Sequence, residues 1–348
     1  MLLGDMGADV VRIDRPCETP LFPGRPEQNL LNRNKRSVAL NLRVDDGREA
    51  ARALADKADI VIEGFRPGTA ERLGVGPEEL WTTNPALVYG RMTGWGQDGP
   101  RAMTAGHDIN YVAVNGALHA IGQAGGPPQI PVNLLGDFGG GGAYMVICVL
   151  AALREARETG RGQVVDVAIV DGVSHLLAGT HARLASDTWA DERCVNLLDG
   201  GAPFYAVYET SDGEYMAVGA IENKFYAEFL SRLDLDEPSD TQNDRSTWPR
   251  LRQRIAERFG SETQAHWSNV FENSDACVSP VRSMLGALED PQIAARGSLF
   301  VDRQLQPGRA PRFPSHADTP IKAAPQPGEH TGEVLGDWLT VLPTAIAD

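Results

Sequence analysis

Short apolar runs and an amphipathic repeat alternate along the first hundred residues. Residues 45–58 (DDGREAARALADKA) carry apolar side chains at helical spacing, with two aspartates in the first turn, and this pattern predicts an amphipathic helix. Strands that alternate with helices indicate an α/β fold with a parallel sheet, which binds ligands at the carboxyl ends of its strands. The runs that predict such strands are ADVVRID (8–14), SVALNL (37–42), DIVIEGF (59–65) and ALVYGRM (86–92).

The pattern changes in the second half of the chain. The run FGGGGAYMVICVLAALREARE (138–158) is apolar on nearly every side as far as Arg154, so it predicts a glycine-led helix that is buried. GQVVDVAIVDG (162–172) predicts another strand. Residues 204–222 predict two strands around a Ser-Asp-Gly turn, and two helices follow them. We therefore expect a large α/β domain and a smaller α+β domain.

Composition restricts the class of protein. With 42% hydrophobic and 23% charged residues among 348, the chain resembles a soluble globular protein, and we expect a cytoplasmic location. A net charge of −15 argues against nucleic acid as a partner. The longest uncharged apolar run, 138–153, is short and contains glycines, which predicts no membrane span. The first residues, MLLGDMG, have no basic leader and read as the end of a helix, so we expect no signal peptide and a strand before residue 1.

Cysteine and histidine spacing argues against metal binding and disulfides. Neither a CxxC pair nor an HExxH or HxxH pattern occurs, so we expect reduced thiols and no metal site. The glycine run lacks both GxGxxG and GK[ST], so neither a nicotinamide cofactor nor a P-loop is predicted. The four cysteines are Cys17, Cys148, Cys194 and Cys277.

Positive charge is concentrated near the start of the chain. Residues 1–68 contain 11 Lys and Arg against 11 Asp and Glu, so the remaining residues carry the whole net charge of −15. An acidic protein that binds a phosphorylated ligand would need such a local basic cluster. A mixed-charge solvated surface would explain the same composition. The basic residues concerned include Arg12, Arg15, Arg25, Arg33, Lys35, Arg36 and Arg66.

Three segments hold groups suited to proton transfer. His107, in AGHDINY, titrates near neutral pH and could be a base, although most single histidines are structural. Asp137, in NLLGDFGGGG, stands before glycines that open a helix, where it could cap the helix or act as a base or nucleophile. Glu222, in VGAIENKFY, occupies a strand-to-helix junction where the helix dipole alone could favour it. Each residue taken singly leaves both interpretations open.

Nine stretches occur in one order along nearly the whole chain. Together they resemble the class III CoA-transferase superfamily of the CaiB/BaiF type, and within it the α-methylacyl-CoA racemases. The resemblance implies an interlocked homodimer, with a large Rossmann-like domain built from both chain ends and a small α+β domain between them. The stretches are LGDMGADVVRIDRP, IEGFRPGTAERLG, GRMTGWGQDGPR, AGHDINYVAVNGALHAIG, NLLGDFGGGG, GQVVDVAIVDG, NLLDGGAPFY, VGAIENKFY and NSDACVSPV.

The domain bounds and the place of the active site follow from the same resemblance. The site is expected between the large domain of one subunit and the small domain of the other. The expected segments are a large CoA-binding domain over 1–185 with 312–348, a linker over 186–203, a small domain over 204–292 and a return linker over 293–311.

The resemblance also assigns roles to residues. His107 and Asp137 match the two bases, and Glu222 matches a small-domain glutamate that hydrogen-bonds the histidine. Gly139 and Gly140 belong to the helix start whose N–H groups would stabilise an oxyanion. The residues that fall where the family contacts CoA are Arg15, Leu40, Leu42, Arg66 and Arg91, and those that fall around the thioester are Asp108, Tyr111 and Tyr205.

These roles imply a reaction of fatty-acid metabolism, the interconversion of (R)- and (S)-2-methylacyl-CoA. One base removes the α-proton, the other returns a proton to the opposite face of the enolate, and no cofactor is required because CoA is part of the substrate. Transferases of the superfamily instead use the aspartate at the Asp137 position as a nucleophile and generally lack the histidine, so His107 favours the racemase. An inactive CoA-binding paralogue is a further alternative, since the family's first strand is absent here.

Overall fold

The computed structural model describes residues 1–16, 25–314 and 320–339 of the chain. Cys17 lies outside the described residues. So do residues 315–319 and 340–348, which belong to the predicted second segment of the large domain.

The chain divides into two compact units, each formed by separate segments. Unit 1 contains both ends of the chain, and unit 2 contains most of its middle. Unit 1 consists of Met1–Tyr111, Leu134–Val173 and Leu288–Asp348, and unit 2 of Val112–Asn133 and Ser174–Ala287.

Strands and helices alternate over much of the described chain. The strands are β1 (Val10–Asp14), β2 (Lys35–Ala39), β3 (Ile60–Glu63), β4 (Val88–Thr93), β5 (Val164–Ala168), β6 (Tyr205–Glu209), β7 (Tyr215–Gly219), β8 (Val278–Pro280), β9 (Leu299–Asp302) and β10 (Gln304–Pro307). The helices are α1 (Leu2–Asp5), α2 (Asp45–Ala55), α3 (Thr69–Arg72), α4 (Pro77–Trp81), α5 (Asp108–Val114), α6 (Tyr144–Thr159), α7 (Ile169–Leu176), α8 (Ala178–Ala185), α9 (Asn223–Arg232), α10 (Trp248–Phe259), α11 (Gln264–Phe271), α12 (Pro291–Arg296) and α13 (Thr331–Trp338). A π-helical segment, Leu134–Ala143, runs directly into α6.

Unit 1 contains the parallel strands. β1 pairs with β2, and in a second sheet β4 lies between β3 and β5, all parallel. The parallel α/β pattern predicted for the first hundred residues is therefore confirmed. The strand predicted over 162–172 is too long, because α7 begins at Ile169. Gly172 lies in that helix and packs directly against the backbone of Gly140, a contact that the sequence pattern did not indicate.

One face of α6 forms part of the core of unit 1. Met145, Val149 and Ala152 are buried and cluster with Val88 of β4 and Val167 of β5. Small and medium apolar side chains at helical spacing let the helix lie close to the sheet.

The opposite face of α6 is exposed, so the prediction that this helix is buried is wrong. Ile147 is 63% exposed and Leu150 is 42% exposed, whereas β4 and β5 pack on the other side of the helix. By length and composition, residues 134–159 would suffice to cross a membrane, but core helices of soluble proteins meet the same criterion. The helix thus presents an apolar surface that unit 1 itself leaves uncovered.

A buried ion pair joins distant parts of unit 1. Arg33 is 1% exposed and donates to both carboxylate oxygens of Asp5, at 3.1 and 2.5 Å. The same guanidinium donates to the carbonyl oxygen of Pro307 at 2.6 Å, and Asn34 donates to Asp5 at 2.7 Å. Fork-shaped pairing of this kind satisfies a buried charge with several hydrogen bonds. The Arg33 hydrogen bonds therefore connect α1, the segment before β2 and the end of β10.

Unit 2 contains an antiparallel sheet with helices packed on it. β7 lies between β6 and β8, and the two strands predicted within 204–222 are confirmed. The core is aromatic: Phe259 stacks on Tyr208 with ring centres 5.4 Å apart and meets Trp267 edge-on at 5.3 Å. Aromatic pairs of this geometry stabilise a core beyond the area that they bury.

Candidate active site

A cavity of about 420 Å³ lies in unit 1 at the carboxyl ends of β3 and β4. Parallel sheets offer ligand sites at this edge, because the loops that follow the strands diverge there. The cavity is lined mainly by residues 64–67, 92–95 and 104–107, by Tyr111 and by Asp137.

His107 lines this cavity from the position just before α5. Its backbone N–H donates to Asn110 Oδ1 at 3.0 Å, and its carbonyl oxygen accepts from the N–H groups of Asn110 at 2.8 Å and Tyr111 at 3.3 Å. A side chain that reaches back to the residue before a helix satisfies a backbone donor at the helix start. These bonds hold the His107 backbone while its exposed imidazole lines the cavity.

Asp137 lines the same cavity from the π-helical segment that precedes α6. The side chain is half-buried, and the backbone N–H donates to Asp108 Oδ1 at 2.7 Å. The structure therefore brings together the two residues that sequence analysis proposed as bases. Their neighbour Asp108 is 6% exposed, and its predicted contact with a thioester stays a prediction.

Tyr111 and Trp95 form an aromatic corner of the cavity. Their rings meet edge to face with centres 4.8 Å apart, and the Tyr111 hydroxyl donates to the carbonyl oxygen of Gly106 at 2.5 Å. Burial, followed by the nearby carboxylates of Asp137 and Asp108, raises the pKa of Tyr111, so its hydroxyl stays protonated.

Two lining residues of this corner were missed from the sequence. Trp95 and Gly94 lie in the quoted stretch GRMTGWGQDGPR, but neither residue was singled out. A Cβ at Gly94 would overlap the Tyr111 ring, so glycine is required there for the ring to reach its place. The sequence feature that could have indicated these two residues is a glycine directly before a large aromatic residue, shortly after a predicted strand.

The glycine run after Asp137 serves close packing at one position at least. A Cβ at Gly140 would lie 2.8 Å from the backbone nitrogen of Val173 and 3.1 Å from the carbonyl oxygen of Ile169. α7 therefore approaches this helix more closely than any larger residue would permit. Gly139 and Gly140 stay predicted oxyanion donors, and Gly140 has this packing role in addition.

A second cavity, of about 580 Å³, lies beside β1 and β2 in unit 1. Arg15, Leu40 and Leu42, which sequence analysis assigned to CoA, all line it. Phe65 lines both cavities, so a single extended ligand could reach from one into the other. Arg66, also assigned to CoA, lines the first cavity.

Arg91, the remaining residue assigned to CoA, is held by carboxylates. It forms an ion pair with Glu71, and its Nε lies 3.8 Å from Glu63 Oε1. The Arg91 guanidinium also donates to Gln97 Oε1 at 3.0 Å. Burial raises the pKa of the Glu63 carboxyl, although the Phe65 N–H and the Arg91 charge act against the rise. The contact of Arg91 with CoA stays a prediction.

The basic residues near the start of the chain do not act as one cluster. Arg12, Arg33 and Arg36 each pair with an aspartate. Arg15 lines the second cavity and Arg66 lines the first. The mixed-charge interpretation therefore describes Arg12, Arg33 and Arg36, and the phosphate-binding interpretation is kept for Arg15 and Arg66.

Glu222 and Tyr205 belong to unit 2. Glu222 is the exposed residue immediately before α9, and its carbonyl oxygen accepts from the N–H of Tyr226 at 2.9 Å. Burial and the charge of Glu222 together raise the pKa of the Cys277 thiol. Tyr205 opens β6 and is half-buried. Their predicted roles beside the histidine and the thioester stay predictions.

The described residues contain free thiols and no cluster of metal ligands. No group of three or more His, Cys, Asp or Glu that could hold a metal ion occurs among them. Cys148, Cys194 and Cys277 are free thiols.

A family model described as CoA-transferase family III matches residues 1–331. The chain belongs to CoA-transferase family III. The family predicted from the nine ordered stretches is thereby confirmed. Membership of family III also accounts for the mixed α/β fold. A solved CaiB/BaiF family protein from Brucella suis superposes on this chain with a TM-score of 0.77. The two are 26% identical, and the match covers 97% of this chain and 93% of the other.

Within family III, two curated racemases are similar to this chain. The α-methylacyl-CoA racemase of Mus musculus is 41% identical over 343 residues, which cover 97% of this chain and 88% of the mouse protein. The α-methylacyl-CoA racemase of Homo sapiens is 39% identical over 342 residues, with the same coverage. This degree of similarity supports the racemase interpretation within the family.

Proposed function

We propose that this family III protein is an α-methylacyl-CoA racemase that interconverts (R)- and (S)-2-methylacyl-CoA thioesters. The observation that carries the proposal is that His107 and Asp137 line one cavity. Inversion at the α-carbon needs a base on one face and an acid on the other, and an imidazole and a carboxylate can each serve as either. The similarity to the mouse and human racemases supports the same chemistry.

The thioester oxygen gains negative charge when the α-proton leaves. N–H groups at the start of the helix that begins at Leu134 lie next to Asp137, and the positive end of a helix dipole favours a developing oxyanion. Removal of one such donor typically costs about 3 kcal/mol of transition-state stabilisation. The enolate therefore forms beside Asp137, and no redox cofactor takes part because both steps are proton transfers.

We place the nucleotide end of CoA in the second cavity and the thioester in the first. Arg15 would pair with a phosphate, and Leu40 and Leu42 would contact the adenine. Phe65 lines both cavities, and Arg66 lines the reacting cavity. One extended acyl-CoA would thus span both cavities.

We also propose that two chains interlock as a homodimer, with the large and small domains at the bounds given above. The exposed apolar face of α6, with Ile147 and Leu150, is the kind of surface that an oligomer covers. In this arrangement Glu222 of the partner subunit hydrogen-bonds His107 and orients its imidazole.

Mixed dimers test this shared site. Chains with His107→Ala and chains with Glu222→Ala, each nearly inactive, are co-expressed with different tags and compared with either variant alone. In a shared site, one of the two active sites of each mixed dimer is intact, so we expect about a quarter of the wild-type rate from random assortment. Activity no higher than that of the parent variants would contradict the shared site.

Proton exchange tests the reaction itself. The protein is incubated in D₂O with (S)-2-methylacyl-CoA, with and without an acceptor acid, and the α-proton is followed by NMR. We expect loss of the α-proton signal and formation of the (R)-thioester without any acceptor, because direct proton transfer needs none.

The same experiment identifies the transferase alternative. A transferase would leave the α-proton in place and move CoA only when an acceptor acid is present, with Asp137 as nucleophile. Failure of both exchange and transfer, with CoA still bound, would identify an inactive CoA-binding protein.

A further inference from the structure

Asp108 carries a buried carboxylate in the immediate surroundings of the proposed bases. It is the first residue of α5 and is 6% exposed. One of its oxygens, Oδ1, accepts the backbone N–H of Asp137 at 2.7 Å. The other, Oδ2, is buried without a hydrogen-bond partner among the described residues. Such a group is costly to bury, so its place needs an explanation.

The bond reaches a backbone donor in the first turn of the helix that carries Asp137. In a π-helix an N–H bonds to the carbonyl oxygen five residues earlier. For Asp137 that residue is Val132, which precedes the segment Leu134–Ala143. The Asp137 N–H therefore belongs to the first turn of this helix, and the Asp108 carboxylate of α5 accepts it.

The same bond also connects the two proposed bases along a short path. Asp108 follows His107 directly in the chain, and it is bonded to the backbone of Asp137 itself. The backbone of His107 is in turn held by Asn110 within α5. Tyr111, which lies in α5 with Asp108, lines the same cavity as Asp137. A change in the Asp108–Asp137 bond would therefore change the separation of the two bases.

We propose that Asp108 is a positioning residue that sets the separation of His107 and Asp137 by accepting the Asp137 N–H. This inference rests on the proposed racemase function. Proton transfer to and from one carbon requires both bases within hydrogen-bonding reach of it, and a displacement of about 1 Å can cost about 100-fold in rate. In this role the Asp108 side chain acts through the backbone of Asp137.

Three substitutions separate the possible contributions of Asp108. Asp108→Ala removes the acceptor, Asp108→Asn keeps an oxygen in its place but removes the charge, and Asp108→Glu keeps the charge but moves the oxygens. We expect the turnover number for α-proton exchange in D₂O to fall about 100-fold in the alanine variant, from either enantiomer, while KM changes less than about threefold. The asparagine variant should stay within about fivefold of wild type, and the glutamate variant should be slower than the asparagine variant.

Asp290→Ala is the matched control. Asp290 Oδ1 likewise accepts backbone N–H groups at a helix start, those of Gln292 at 3.0 Å and Ile293 at 3.1 Å in α12, and it lines neither cavity. This variant should melt at a lower temperature and keep its turnover number. It shows what the loss of a capping carboxylate does by stability alone.

Several results would overturn the proposal. They are an unchanged turnover number in Asp108→Ala, a rise in KM alone, which would indicate a binding residue, or an asparagine variant as slow as the alanine variant. If Asp108→Ala does not fold, the asparagine and glutamate variants are compared with each other, and a faster glutamate variant would overturn the proposal.

If the wild-type protein shows no α-proton exchange, the racemase proposal fails, whatever the variants do. The variants are then assayed for CoA transfer, where rescue by asparagine still supports positioning of Asp137 and no rescue overturns it.

Discussion

Replacement of His107 by alanine is expected to lower the rate of racemisation about 1,000-fold, while CoA binds within a few-fold of wild type. The imidazole lines the reacting cavity, whereas the proposed nucleotide site is a different cavity beside β1 and β2. Loss of a group that acts only in the transition state lowers the turnover number and leaves ground-state binding largely intact. Polarimetry of 2-methylacyl-CoA gives the first quantity, and calorimetric titration with CoA gives the second.

The two enantiomers give a sharper test of His107. With Asp137 intact, the variant should still exchange the α-proton of the enantiomer whose proton faces Asp137, with retention of configuration. The other enantiomer should not exchange, because its base is missing. His181→Ala, which changes an exposed histidine on α8, is the control and should behave as wild type. Equal activity in a well-folded His107→Ala variant, or weaker CoA binding as its main defect, would contradict the assignment.

Replacement of Arg33 by alanine is expected to lower the free energy of unfolding by about 3–5 kcal/mol. Asp5, itself 5% exposed, would keep one hydrogen bond from Asn34 but lose the charge that compensates it. The carbonyl oxygen of Pro307 would also lose its donor. Urea denaturation followed by circular dichroism measures the change at equilibrium.

Arg154→Ala provides the matched control for Arg33. Arg154 pairs with Glu158 one helical turn away at 3.1 Å, but its side chain is 83% exposed. Exposed pairs of this type contribute about 0.3–0.5 kcal/mol. Similar destabilisation by the two substitutions would mean that the buried Arg33–Asp5 pair is not what holds these segments of unit 1.

The types of element and the candidate chemistry could be predicted from the sequence. Apolar spacing reports which side of a local segment is apolar, so α2 and the strands β1 to β4 were found close to their observed bounds. Ordered stretches around His107 and Asp137 identified the family, and the family model that matches residues 1–331 agrees.

Periodicity did not predict which surfaces meet. The apolar run of α6 predicted burial, yet among the described residues the face with Met145 and Val149 packs on the sheet while Ile147 on the other face is exposed. Gly140 was assigned to an oxyanion site from the sequence, and its close packing against the backbone of α7 was not predicted. Both outcomes depend on elements that are distant in the chain.

By itself, then, the sequence determined the kind of secondary structure, the family and the residues able to move protons. Only the tertiary structure brought His107 and Asp137 into one cavity and bonded the Asp137 backbone to Asp108. It also showed that Arg33 and Arg36 neutralise aspartates, while Arg15 lines a cavity. Local patterns record each residue's own backbone preference and polarity, but the partner of a side chain is decided by how separate elements pack against one another.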